Sequence, residues 1–149
     1  MPYTKIRLRL IIINQNKLLT TYAKDQDFYF YVGGKLEYGE TIAQGAMREI
    51  AEECGADTTF KLNKFLYVRD YIIPEEGEHS VELYILGSIN KFHEIEGYED
   101  PQDHGNHILA WLDLDKLPHN LYPHQLSSIL LQDYQSNFNS PIQYIGILK

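Results

Sequence analysis

The sequence predicts an α+β domain in which a mixed β-sheet is packed between helices. Three observations carry that reading. Alternating or β-branched runs fill much of the chain, one capped amphipathic helix interrupts them, and a second amphipathic segment lies near the C-terminus. At 149 residues the chain is long enough to bury the core of a single domain spanning 1–149.

Residues 5–13, KIRLRLIII, begin with strict alternation of charged and apolar side chains and end β-branched, the pattern of a strand. NQNK at 14–17 is turn chemistry, and LLTTYA returns as a second strand to make a hairpin. FYFYV at 28–32 is a short aromatic strand that runs into Gly33-Gly34. Thr41 and Gln44 match a capping box, which starts a helix near Ile42, and Gly55 stands where that helix should end. The helix is then about 13 residues, or roughly 20 Å, long. Its buried stripe is Ile42, Ala46, Ile50 and Cys54. Gly45 inside it costs about 1 kcal/mol relative to Ala, which predicts a close approach by other backbone.

Residues 58–70 and 80–90 read as a long antiparallel pair turned by PEEGEH. The following segment, KFHEIEGYEDPQDHGN at 91–106, is polar, acidic and irregular, long enough for a functional loop. HILAWLDLDKLP at 107–118 is a strand followed by a turn of helix. PHQLSSILLQDYQ at 123–135 is an amphipathic helix with Pro123 near its start and Leu126, Ile129 and Leu130 at helical spacing.

The formal net charge of −8 argues against nucleic acid as a partner held by Lys and Arg contacts to phosphates. A small phosphorylated substrate would need some other source of attraction, and a divalent metal would supply it. Cys54 is the only cysteine, so no disulfide forms within the chain, which suits a reducing compartment. The N-terminal segment lacks a signal-peptide layout, and no run approaches the ~18 apolar residues of a membrane span. The expectation is a soluble cytoplasmic protein with no membrane partner.

Glu49, Glu52 and Glu53 fall within a sector of about 100° that borders the buried stripe of the helix. They also lie in its last two turns, where the helix dipole disfavours negative charge by up to ~1 kcal/mol each. Arg48, four residues before Glu52, offsets only part of that. Most acidic runs are solvated faces, but carboxylates at the edge of a buried stripe make a solvated face the poorer account. Hard oxygen donors with open positions suit Mg²⁺, with Mn²⁺ as the alternative.

This stretch closely resembles the Nudix box, G-x5-E-x7-R-E-U-x-E-E-x-G-U, where U is a bulky aliphatic residue. Gly34, Glu40, Arg48, Glu49, Ile50, Glu52, Glu53 and Gly55 stand at the required spacing, eight of nine specified positions over 23 residues. Ala56 departs from the pattern, being small where an aliphatic is preferred, and Val32-Gly33-Gly34 replaces the usual Pro-Gly-Gly. WLDLDKLP at 111–118 is similar to the family more loosely. The resemblance implies a Nudix-type α/β/α sandwich that hydrolyses a nucleoside diphosphate linked to another group, with water attacking phosphorus.

By the same resemblance Glu49, Glu52 and Glu53 are metal ligands and the Gly34 carbonyl adds another, the alternative being that one of Glu49 or Glu53 instead orients or deprotonates the water. Arg48 and Glu40 fix the carboxylates from behind. Members of the family often take a further ligand or base from a later loop; Glu99, Asp100 and Asp103 are the favoured candidates, with Glu94 and Glu96 also in the segment. For each, plain loop solvation is the competing reading, as it is for His104 and His107.

A nucleobase would stack on an aromatic ring, and Phe28, Phe30 and Tyr84 are the candidates, each with even odds of being simple packing because strands alternate faces. Arg7, Arg9 and Arg69 could reach phosphates, although an exposed cross-strand partner is the simpler reading. The substrates compatible with the box are nucleoside triphosphates, nucleotide sugars including ADP-ribose, and dinucleoside polyphosphates. A non-catalytic nucleotide-sensing module of the same fold is the alternative, weakened by the intact carboxylates. Trimming of RNA ends is weakened by the acidic balance, and a homodimer would follow family habit.

Overall fold

The computed structural model describes residues 3–146. Eight strands and two α-helices follow one another as β1 (Lys5–Asn14), β2 (Lys17–Ala23), β3 (Phe28–Lys35), α1 (Ile42–Cys54), β4 (Phe60–Ile73), β5 (Glu78–Ile89), β6 (His107–Asp113), β7 (Leu121–Tyr122), α2 (His124–Gln135) and β8 (Gln143–Ile145). The sheet runs β6-β2-β3-β1-β5-β4-β8, with β7 beside β3. Pairs β1–β5, β3–β7 and β4–β8 are parallel and the other neighbours antiparallel, so the sheet is mixed as expected.

The alternation in KIRLRLIII divides the core in two. Leu8, Leu10 and Ile12 pack with Ala46, Ile50 and Cys54 of α1, while Ile11 joins Tyr31, Tyr67, Tyr84 and the α2 residues Leu126 and Leu130 on the opposite face. The two helices therefore cover opposite faces of the sheet. Both ends of α1 follow the local sequence. Thr41 Oγ1 accepts the Gln44 N–H at 3.1 Å, and Gln44 Oε1 accepts the Thr41 N–H at 2.8 Å, a complete capping box. Gly55 closes the helix at φ 110°. Gly45 is buried where a Cβ would come within 2.8 Å of Leu36 and 3.0 Å of Leu8, so the close approach there is made by side chains and not by the backbone expected. Burial pushes the Cys54 thiol up to about 12, which leaves it an inert core group.

One strand differs from expectation. β3 does not stop at Val32 but continues through both glycines to Lys35. Its first half pairs with β2, from Phe28 to Tyr31, and its second half pairs with β1, from Val32 to Lys35. The strand changes partner between Tyr31 and Val32, and Gly33 then fits against β1 because it has no side chain: a Cβ there would sit 2.0 Å from the Leu8 carbonyl oxygen. Short elements that leave no periodic signal, β7 and β8, also appear only in the structure. No described helix is long and apolar enough to cross a membrane.

Candidate active site

The partner exchange in β3 brings the glycine pair over the C-terminal half of α1. The Gly33 N–H donates to Glu53 Oε2 at 2.9 Å. Gly34 has no side chain where Glu49 lies: a Cβ there would fall 2.6 Å from Glu49 Oε1. The two carboxylates expected to act together are thus seated against one turn of backbone.

Arg48 organises the rest of the helix face. It grips Glu40 with two parallel bonds, Nε to Oε2 at 3.0 Å and Nη2 to Oε1 at 2.6 Å, and Nη2 also donates to the Lys35 carbonyl at 3.0 Å. Its Nη1 donates to Glu49 Oε1 at 3.0 Å and reaches Glu52 at 3.4 Å. One guanidinium therefore ties the loop, the helix and three carboxylates together.

The charges respond accordingly. Arg48, helped by the Glu37 N–H, pulls Glu40 down to about 2. Burial raises the pKa of Glu49, an effect that Arg48 opposes. Burial, followed by the charge of Glu49, raises Glu53 well above the ordinary carboxylate range, against the Gly33 N–H and the charge of Arg9. Two buried acids that resist ionisation, each beside a further carboxylate, are a donor set that a divalent cation would satisfy. The oxygen-only chemistry and the cradle left by Gly34 fit Mg²⁺ or Mn²⁺.

The later loop divides the three acids proposed from sequence. Glu99 is largely exposed, pairs with Lys24 at 3.6 Å and bridges to Ile108. Asp100 lies close enough to raise the pKa of Glu53 and shares a small cleft with Glu53 and His107. Asp103 contacts the His107 ring, and its two oxygens are buried without a hydrogen-bond donor among the described residues. Among the described residues, Asp100, Asp103 and His107 form the group whose ligand atoms all lie within 4.8 Å of one another; the carboxylates on α1 are spread more widely. His107 could not be singled out in sequence, because only the fold carries the start of β6 back to the glycines.

Two cavities meet at this corner. One, of about 390 Å³, is lined by Arg7, Arg9, Phe28, Phe30, Gly33, Gly34 and His107. The other, of about 420 Å³, lies on the α2 side of the sheet, where Arg9 and Phe30 form the shared wall. Of the candidate aromatics, Phe28 borders only the first cavity and Phe30 borders both. Tyr84 lines the second but is buried, its ring packed edge-on against Tyr31 and its hydroxyl donated to Glu82 at 2.8 Å. Glu82 is a buried acid that sequence reasoning missed. Its signal was a charged residue inside the apolar strand SVELYIL, in register with Arg69.

A family model described as NUDIX domain matches residues 5–131. Among solved structures, the chain is similar to a MutT NUDIX hydrolase from Burkholderia pseudomallei, with 24% identity, 87% of this chain and 97% of that one covered, and a TM-score of 0.67. It is similar to an ADP-ribose pyrophosphatase from Streptococcus suis at 16% identity, with 97% and 100% covered and a TM-score of 0.67. A UDP-X diphosphatase gives 18% identity, 96% and 68% covered, and a TM-score of 0.70. At these identities the likeness is one of fold. No curated protein matches in sequence.

Proposed function

This chain belongs to the NUDIX family, and from that premise we propose that it is a cytoplasmic Mg²⁺-dependent pyrophosphohydrolase acting on a nucleoside diphosphate joined to another group. That it is a hydrolase of acid anhydrides follows from the family. The metal, the bond and the roles of the residues are our reading. The observation that carries it is the seating of Glu49 and Glu53 against Gly33-Gly34, with Arg48 holding Glu49 and Glu52 from behind.

Glu49, Glu52 and Glu53, with the Gly34 carbonyl, would hold the cation. When bound, Mg²⁺ neutralises the diphosphate and stabilises charge on the leaving phosphate. Arg48 holds Glu49 and Glu52 through one nitrogen, and Glu40 in turn holds Arg48. In place of ligating, one of Glu53 or Glu49 would take the proton of the attacking water, a role suited to a carboxylate whose pKa is raised. Asp100 is the loop acid placed to assist. The diphosphate lies across the glycines, and the group that does not react enters the neighbouring cavity past Arg9 and Phe30.

Glu52→Gln and Glu53→Gln should each lower kcat/KM by about 10²-fold or more. The assay uses Mg²⁺ with a nucleoside triphosphate, a nucleotide sugar and a dinucleoside polyphosphate, and identifies the products. Full activity in either variant would overturn the roles. Tight nucleotide binding with no product from any of the three would replace the enzyme with a sensor.

A further inference from the structure

The cavity on the α2 side has an unusual floor. Glu82, only 4% exposed, is shared by two arginines: Arg69 Nη1 donates to Oε1 at 2.6 Å, and Arg9 Nε donates to Oε2 at 3.4 Å. Arg9 Nη1 is further occupied by the Tyr31 carbonyl at 3.2 Å. The Nη2 groups of both arginines meet no acceptor among the described residues, and both arginines line the cavity. Two guanidinium groups and one carboxylate leave the floor one positive charge in excess, in a chain whose net charge is −8. Tyr31 lines the same cavity at 1% exposure, and its hydroxyl is buried with no hydrogen-bond partner among the described residues.

The walls are aromatic. Arg69 stacks over Tyr71 with its guanidinium carbon 4.7 Å from the ring centre, Arg9 lies 5.7 Å from the centre of Phe30, and Tyr122 closes the side. Such walls suit a flat ring. A phosphate is the other group two arginines would bind, but it would be set against the Glu82 carboxylate and would leave the rings unused. A planar heterocycle with an oxygen on its edge satisfies both features.

Resting on the reading that this cavity takes the unreacting part of the substrate, we propose that Arg9 and Arg69 select a base with a keto oxygen, guanine, hypoxanthine or uracil, over one with an amino group there, adenine or cytosine. A guanidinium offers only donors. It pairs with the acceptors O6 and N7 of a keto purine, whereas the amino group of adenine points a second donor at it.

The test is binding of nucleoside diphosphates to the intact protein in Mg²⁺ by calorimetry, compared in matched pairs. IDP against ADP and UDP against CDP differ at the group in question. The keto member of each pair should bind at least about fivefold tighter, the low end for a guanidinium paired with a keto purine. Arg69→Gln should erase or invert the IDP preference, since an amide suits adenine. Equal affinity within the pairs, or tighter ADP, overturns the selection while leaving hydrolysis intact. Failure of every diphosphate to bind would instead remove the underlying functional reading.

Discussion

Gly34→Ala isolates the site from the fold. A Cβ at this position falls 2.6 Å from Glu49 Oε1 and 2.8 Å from both Cδ and Oε2, and ordinary contact begins near 3.4 Å. The added methyl group meets no backbone at such range, so the carboxylate is what must move, by nearly an ångström. It cannot do so freely, because Glu49 is 7% exposed and Arg48 holds it at 3.0 Å. The backbone is not strained by the change, since Gly34 lies outside the left-handed region, and Gly→Ala in such a place tends to stabilise by about 0.4–1 kcal/mol. Misplacing a reactive group by about 1 Å costs on the order of 10²-fold in rate. The expected result is therefore a hundredfold loss of kcat/KM and weaker Mn²⁺ binding in a paramagnetic-resonance titration, with the melting temperature nearly unchanged. Gly33→Ala is the contrast. Its Cβ would meet the Leu8 carbonyl oxygen at 2.0 Å, and its φ of 133° adds strain, so it should lower stability by at least about 1–3 kcal/mol. Wild-type kinetics and Mn²⁺ affinity in Gly34→Ala would refute the claim that the seating of Glu49 matters. A melting temperature as low as that of Gly33→Ala would show that Gly34 serves the fold instead.

Asp100→Asn should lower kcat/KM by about tenfold or more if Asp100 assists Glu53, whereas Glu99→Gln, on an exposed acid paired with Lys24, should leave it within about twofold; steady-state kinetics with the opposite ranking would reverse the assignment. Tyr67 donates to Asp133 Oδ2 at 2.7 Å in the core under α2, so Tyr67→Phe should cost about 1–3 kcal/mol, or a few degrees in a thermal melt. An unchanged melt would mean that Gln143, 3.0 Å from the same oxygen, satisfies the acid alone. Glu78 is held down to about 2, first by Lys5, then by Ser80 and Arg7. Its folded pKa is below the ordinary 4.5, so its stabilisation is present above that pH and is lost as pH falls toward about 2. Glu78→Gln should therefore melt lower than wild type at neutral pH, with the gap closing across that window; a gap that stays constant to pH 2 would reject the linkage.

What the sequence disclosed and what it hid separate along one physical line, the distance in sequence between interacting groups. Helix α1 was legible to its ends because its determinants are local: Thr41 and Gln44 cap each other, and Arg48 reaches Glu52 one turn on. The same locality made the carboxylate face legible. β3 was misjudged at Gly33 because glycine weakens an isolated strand, and the compensation comes from Leu8, 25 residues earlier, whose carbonyl needs the space. The division among Glu99, Asp100 and Asp103 depends on where the loop crosses Glu53, which no spacing rule encodes. Arg9 and Arg69 show the limit most clearly. Read singly, each arginine on a strand calls for an exposed partner across the sheet, and Arg69 does pair with Glu82 in register. Only the parallel placement of β1 against β5 brings Arg9 to the same carboxylate, and the chain entering α2, from Tyr122 to Gln125, walls the cavity that they line. A pair legible as surface chemistry thereby becomes a cavity floor with donors to spare. Desolvation by distant elements converts an ordinary ion pair into a means of discrimination, and it does so through contacts that lie outside any local window.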